Sequence, residues 1–448
     1  MNFTSAFGFA ALLLFPAAVR AQKSWTLSKC IHYAYANNIA VKKAHLQTET
    51  READRKTALG NFLPNLNATA SNDYSFGTSI DQQTNERVRH DFQNVSLGIA
   101  TSVTLFDGLK NVKTLNRANL DREMSEFDEK ATRDDIALSI TNAYLQVLYS
   151  KALIQIEEAQ LQIDRDQLSR VEKQVAAGAL PLGAVYDIQS TLAADSQSLT
   201  EARNGYDLNR LSLAQLLQLD NTGDFQLADI AFEIPDGVLS RYDPKAIYRK
   251  ALTSWSEIKS GSLRVQSAQK GIEIAKTAYM PTLDARLGLS SIYSKVLGKK
   301  PGVGSAVDTD FLSQLDNNKS YGVGISLAIP LFNRLQTRNR VAKAKIDRLQ
   351  AELDLQQTEN ELRQDIEKAY TAAKAAHSAY RAAGKTEMAA HQAFEYASKR
   401  FAVGAISSFD FNQAKNKWVK AKADGVRSKY DCFFKLKVLD FYTGVPLN

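Results

Sequence analysis

The chain has 448 residues, 44% of them hydrophobic and 23% charged, enough for two or three ordinary globular domains. Its 56 basic and 49 acidic residues give a formal charge of +7, scattered without the basic blocks or aromatic interleaving of a nucleic-acid surface, so no nucleic-acid partner is expected. Two cysteines, Cys30 and Cys432, are too few for a disulfide framework or a metal cluster, and leave either two separate thiols or one bridge.

Residues 1–21 read as a signal peptide: an apolar run from Ala6 to Phe15, then Pro16, then Val19-Arg20-Ala21 before Gln22. That run is too short to span a bilayer, which takes ~20 apolar residues, and no later segment reaches that length free of charge. Any membrane crossing therefore does not use an apolar helix. Cys30 is not a lipid anchor, because Leu27-Ser28-Lys29 before it follows a polar stretch.

The mature chain repeats itself. Ala34 onward aligns without gaps to Ala251 onward, so that Val41 meets Ile258, Phe62 meets Tyr279, Pro64 meets Pro281 and Leu66 meets Leu283. Each copy reads as helix, two strands, very long helix, second helix. An opening helix within residues 22–62, about Leu27 to Asn61, stops near Pro64, since proline lacks a donor and biases its predecessor toward extended backbone. Residues 63–107 hold the first strand pair, Leu66 to Phe76 and a run from Val95, joined by a polar loop from Gly77 to Phe92.

Val95, Leu97, Ile99, Val103 and Leu105 alternate with Ser96, Gly98, Ala100, Ser102 and Thr104. From Gly108 no proline or glycine occurs until Gly178. A helix of roughly 65–70 residues extends ~100 Å at 1.5 Å per residue. Ile140, Val147, Ile154, Leu161, Leu168 and Val175 recur every seventh residue, the spacing of coiled-coil packing. Gly178 permits a reversal, and Val185, Leu192, Leu199, Tyr206 and Leu213 carry the chain back, so residues 108–219 form a helical hairpin.

A linker, residues 220–243, leads to the second copy: a helix (244–279), a strand pair (280–333), a hairpin (334–440) and a tail (441–448). Its strands run from Leu283 to Tyr293 and from Tyr321 to Leu331, joined by a loop from Lys295 to Lys319. Tyr321, Val323, Ile325, Leu327, Ile329 and Leu331 alternate with Gly322, Gly324, Ser326, Ala328 and Pro330. The second heptad series, Ile366, Ala373, Tyr380, Glu387, Phe394 and Phe401, is broken only by Glu387.

Alternation over ~9–11 residues suits a tilted strand crossing a bilayer. It also suits an antiparallel sheet with one face on a soluble core. Four strands cannot close a barrel, and open edges in lipid leave backbone groups unpaired, so the membrane reading requires oligomerisation. For an enzyme the chain offers five scattered histidines (His32, His45, His90, His377 and His391) without HExxH, CxxC, phosphate-loop or nucleophile motifs; no catalysis, cofactor or metal is expected.

Phe62-Leu63-Pro64-Asn65-Leu66 with Tyr279-Met280-Pro281-Thr282-Leu283, the strand exits Leu105-Phe106-Asp107-Gly108 and Pro330-Leu331-Phe332-Asn333, and the tip Arg400-Phe401-Ala402-Val403-Gly404-Ala405-Ile406-Ser407 together resemble the TolC-like outer-membrane efflux protein family. The likeness covers nearly the whole mature chain. It implies a mixed α/β membrane protein: a homotrimer with a twelve-stranded β-barrel in outer-membrane lipid and a twelve-helix periplasmic α-barrel. It further implies the exit duct of a tripartite efflux pump or type I secretion system, docked to a periplasmic adaptor (membrane fusion) protein and an inner-membrane transporter.

On that resemblance the docking tips are Gly178, Ala179 and Leu180 with Phe401, Gly404, Ala405, Ile406 and Ser407, and Pro64, Gly108, Pro281 and Pro330 mark helix–strand junctions. An acidic residue six after the tip glycine rings the pore in some members. Asp410 stands there, with Asp187 as its looser first-copy counterpart, and Gln413 stands where some members carry a second acid. Asp410 equally suits the start of the return helix as a cap. The competing overall reading is a soluble extracytoplasmic coiled-coil scaffold or adaptor without a pore.

Overall fold

The computed structural model describes residues 24–80, 85–89, 91–220, 225–297 and 310–447. The expected signal segment, His90 and parts of both strand-linking loops and the linker lie outside the described residues. The chain divides into two compact units, each assembled from pieces of both copies: one holds Lys43–Thr132 and Tyr248–Asp365, the other Met1–Lys42, Arg133–Ile247 and Ile366–Asn448.

The duplication read from the sequence is exact in the long elements. Helices α3 (Lys110–Ala176) and α8 (Gln336–Ala402) both have 67 residues, and their return helices α4 (Gly183–Leu217) and α9 (Ser408–Tyr442) both have 35. The opening helices depart from expectation, because each is broken once at the same repeat position. Asn38 is extended (φ −62°, ψ 132°) between α1 (Leu27–Asn37) and α2 (Ile39–Gly60). Its Oδ1 accepts from the Ala40 N–H at 2.8 Å, which caps α2, and its Nδ2 donates to the Leu216 carbonyl at 2.8 Å. Trp255 (φ −71°, ψ 131°) divides α5 (Pro244–Ser254) from α6 (Ser256–Thr277) in the same way.

Four strands form one antiparallel sheet in the order β1 (Asn65–Ser75), β4 (Asp91–Phe106), β5 (Thr282–Leu297), β6 (Ser320–Ala328). The central pairing, Ile99 opposite Leu289, joins the two copies. Both linking loops carry structure that alternation did not reveal. The first holds a small ribbon of β2 (Thr78–Ile80) and β3 (Arg87–Arg89), the second a helix, α7 (Phe311–Asn317). Strand β6 stops at Ala328 and not at Leu331, as expected where Pro330 brings no donor to a ladder.

In the unit holding the tips, the heptad positions Ile140, Val147, Leu161, Ile366, Ala373, Phe394 and Phe401 are buried, as coiled-coil spacing requires. Residues 225–230 are tied in through a parallel bridge between Trp25 and Leu227, and the Tyr144 hydroxyl donates to the Ala228 carbonyl at 2.6 Å. Cys30 and Cys432 are both buried and unbridged. Burial pushes their thiols up to about 12 and about 11, so neither is a reactive nucleophile.

Candidate functional site

Residues directly opposite in an antiparallel ladder share a face, so the register assigns both sides of the sheet. Leu66, Ala68 and Ala70 of β1, Val95, Leu97, Ile99 and Val103 of β4, Leu283, Ala285, Leu287, Leu289 and Tyr293 of β5, and Tyr321, Val323, Ile325 and Leu327 of β6 fall on one side. The other side carries Asn65, Asn67, Thr69, Ser71 and Asp73, then Gly98, Ala100 and Ser102, then Asp284, Arg286, Gly288 and Ser290, then Gly322, Gly324 and Ser326.

The apolar side is bare. Tyr321 is 74% exposed, Val323 83%, Ile325 71% and Leu327 60%. A soluble sheet would bury such a row, since fully burying one aliphatic side chain is worth roughly 1.5–3 kcal/mol. Among the described residues, the outer edges of β1 and β6 pair with no other strand. Tyr74, Tyr293 and Tyr321 lie toward the loop end of the strands, and Phe106 lies at the helix end.

At the junctions, α2 gives way to β1 around Pro64, and α6 to β5 around Pro281. Gly108 (φ +69°) and Leu109 (φ +68°) are both left-handed, and a Cβ on Gly108 would lie 2.6 Å from the Met280 Cβ and 3.3 Å from the Thr277 carbonyl oxygen. The second copy makes the same bend without glycine, at Arg334 (φ +54°) and Leu335 (φ +63°). Pro330 lies two residues beyond β6, whereas its counterpart Thr104 is still in β4 and donates to Asp284 Oδ1 at 2.7 Å.

Both tips close alike. Gly178 (φ +75°) and Gly404 (φ +73°) donate to Val175 and Phe401, and the following Ala179 and Ala405 donate to Gln174 and Arg400 at 2.8 Å. This is the Schellman closure that a left-handed glycine permits. Phe401 packs its ring on Phe411 at 4.9 Å in an apolar cluster that Leu180 and Ile406 border. Gly178, Ala179, Gly404, Ala405 and Ser407 are exposed. So are Val403 of the tip motif and three large apolar side chains that the sequence reading missed, Leu182, Tyr186 and Phe409.

Ser407, and not Asp410, caps α9. Its hydroxyl oxygen accepts from the Asp410 N–H at 3.2 Å, and the hydroxyl donates to Asp410 Oδ2 at 2.8 Å. Asp187 and Gln413 line one open groove with Thr191, Asn412 and Lys417, and Asp410 does not line it. The sequence reading also missed a buried charge cluster: Lys415 of α9 contacts Asp164 of α3 and, at 3.0 Å, Asp195 of α4. A lone lysine between Ala414 and Asn416 carries no periodic signal.

The outer membrane efflux protein family model matches residues 30–218 and 247–444. The pyoverdine export outer membrane protein OpmQ of Pseudomonas putida is 23% identical over 277 residues, 60% of this chain and 53% of that protein. Protein CyaE of Bordetella pertussis is 21% identical over 337 residues, 73% of this chain and 65% of that one. The chain thus spans about half to two thirds of the length of these curated relatives. In fold it is similar to the CmeC outer membrane channel of Campylobacter jejuni, with a TM-score of 0.77 and 18% identity, covering 94% of this chain and 85% of that one.

Proposed function

This chain belongs to the outer membrane efflux protein family, and from that premise we propose that it is one subunit of a passive exit duct, serving a tripartite efflux pump or a type I secretion system. The observation that carries the proposal is the four-stranded sheet with a bare apolar side, a polar side and, among the described residues, unpaired edges. Lipid on the apolar side and water on the other account for the alternation. Edges open to lipid are untenable, so β6 of one copy pairs with β1 of the next.

Two copies would give eight strands and a lumen filled by side chains; three give twelve and room for a passage. The small residues on the polar side favour the wider lumen. The reading is therefore a homotrimer whose strand regions, 63–107 and 280–333, share one barrel, with residues 1–21 removed as a signal peptide. The hairpins, 108–219 and 334–440, stand in the periplasm, where the tips receive a periplasmic adaptor and an inner-membrane transporter. Exposed Leu182, Tyr186, Val403 and Phe409 support docking there, because apolar side chains at a tip gain most from a partner that covers them.

Asp410 is exposed beside the tip. Threefold symmetry would bring three such carboxylates around one axis and favour cations. The channel reading requires detergent for extraction, a heat-modifiable trimer in electrophoresis and ion conduction in a planar bilayer. A monomer stable in detergent-free buffer and silent in bilayers would leave the scaffold reading in its place.

A further inference from the structure

Among the described residues, the end of β5 has no strand on one side. Strand β6 pairs with β5 only from Thr282 opposite Ala328 to Ser290 opposite Ser320, yet β5 continues to Leu297. Backbone groups beyond Ser290 on that edge need other partners, and the segment of α7 with Asn318 supplies two. Gln314 Oε1 accepts from the Ser294 N–H at 3.1 Å, and Asn318 Nδ2, just past the helix, donates to the Ile292 carbonyl at 2.7 Å. Ser291 Oγ in turn donates to the Leu315 carbonyl at 2.6 Å. Two side chains of the helical segment thus stand in for a ladder strand.

The same contacts fix the side on which α7 rests. Ser291 and Tyr293 belong to the apolar face by register. The Phe311 ring meets the Tyr293 ring edge-on, with centroids 4.9 Å apart at 65°. Helix α7 therefore lies against the apolar face at the loop end of the sheet. It holds apolar side chains outward there: Leu312 is 70% exposed and Phe311 is also exposed. An ion pair, Asp316 with Lys319, closes the segment. Apolar side chains next to an aromatic at a strand end, with charges following directly, match the chemistry of a lipid–water boundary.

We propose that α7 is an interfacial anchor whose Phe311 and Leu312 enter the lipid–water boundary of the bilayer at the loop end of the sheet. This rests on the reading of the apolar face as a membrane wall. Its occupant is lipid because the apolar surface of α7 continues the surface formed by Tyr293, Leu289 and Tyr321. The helix sets the depth at which the wall sits, and it also bars a foreign strand from the upper edge of β5.

The test uses the full-length trimer in phosphatidylcholine vesicles, with one environment-sensitive thiol fluorophore at a time on Leu312→Cys, Phe311→Cys, Val323→Cys or Leu182→Cys. Burial and raised pKa values keep Cys30 and Cys432 from reacting, and the labelled parent protein supplies the background. Lipids brominated near the headgroup are compared with lipids brominated at mid-chain. Expected is a loss of emission at positions 311 and 312 that is greater with the shallow bromines, a loss at 323 with the deep ones, and none at 182. Quenching at 323 without quenching at 311 and 312 overturns the anchor and leaves the membrane wall standing, including the case where a second copy shields α7. An unquenched 323 overturns the wall itself.

Discussion

Lys415 of α9 is completely buried against Asp164 of α3, which is 1% exposed, and the pair is completed by Asp195 of α4, 3.0 Å from the lysine nitrogen. One cation thus joins the return helix of the second hairpin to both helices of the first. Removing charges from water costs several kcal/mol per ion, so such a cluster survives only if its members answer one another. Burial, then hydrogen bonding to Asp195, pushes the Asp164 carboxyl up to about 7 against the pull of Lys415. Burial also opposes the Asp195 anion, yet hydrogen bonds with Asp164, Gln160 and Lys415 outweigh it and hold that carboxyl below its ordinary value.

A pH dependence follows. The folded chain keeps a proton on Asp164 that the unfolded chain releases near pH 4, so stability declines as pH rises from about 4 to about 7 and then levels, by at most about 4 kcal/mol. Thermal melts of the detergent-solubilised protein across that window should display the decline, and Asp164→Asn should flatten it. An unchanged slope in the variant would assign the dependence elsewhere.

Lys415→Met should destabilise by about 3–5 kcal/mol, because it leaves two buried acids without a cation. Adding Asp164→Leu and Asp195→Leu to it should recover most of the loss. Melting temperatures of the single and triple variants decide this; a triple variant as unstable as the single one would mean that packing, and not charge, is what Lys415 supplies.

Two left-handed glycines, Gly178 (φ +75°) and Gly108 (φ +69°), should respond differently. Gly178→Ala meets nothing within 4 Å, so only the left-handed backbone counts, roughly 1–2 kcal/mol. Gly108→Ala adds a clash with the Met280 side chain at 2.6 Å and should cost distinctly more. Denaturation midpoints of the two variants measured side by side check the order.

On β6, neighbouring residues face opposite sides, so Val323→Arg and Gly324→Ser should separate. The arginine costs about 2–4 kcal/mol at a bilayer midplane and should abolish membrane assembly, read as loss of the proposed heat-modifiable trimer. The serine, on the polar side, should leave assembly intact and alter only conductance. Equal tolerance of both would contradict lipid contact on the apolar side.

At the tip, Ser407→Ala removes the cap of α9 and should cost about 1 kcal/mol with little effect on ion preference. Asp410→Asn retains an acceptor for the Ser407 hydroxyl but loses the charge. It should reduce cation over anion permeability in bilayer recordings, whereas an unaltered reversal potential would leave Asp410 with a capping contact alone.

The duplication, the tip glycines, the heptads and the alternating strands were all legible in the residue order, because each is a local rule repeated at a fixed period. Ile140, Val147, Ile366 and Phe401 went where a sevenfold repeat sends them. The breaks at Asn38 and Trp255 were not legible, since Asn38 finds a partner in Leu216 on another helix. Nor was the reason that Glu387 is tolerated in its heptad: its carboxylate lies where a side chain on Gly425 of α9 would begin, a Cβ there coming within 2.7 Å. Sequence by itself determined the type of each long segment and which way its apolar side turns. Tertiary structure alone decided that β4 joins β5 across the repeat, that Lys415 finds two acids, and that α7 covers an unfinished edge. Those outcomes depend on residues far apart in the chain meeting in space, and no period in one dimension encodes that meeting.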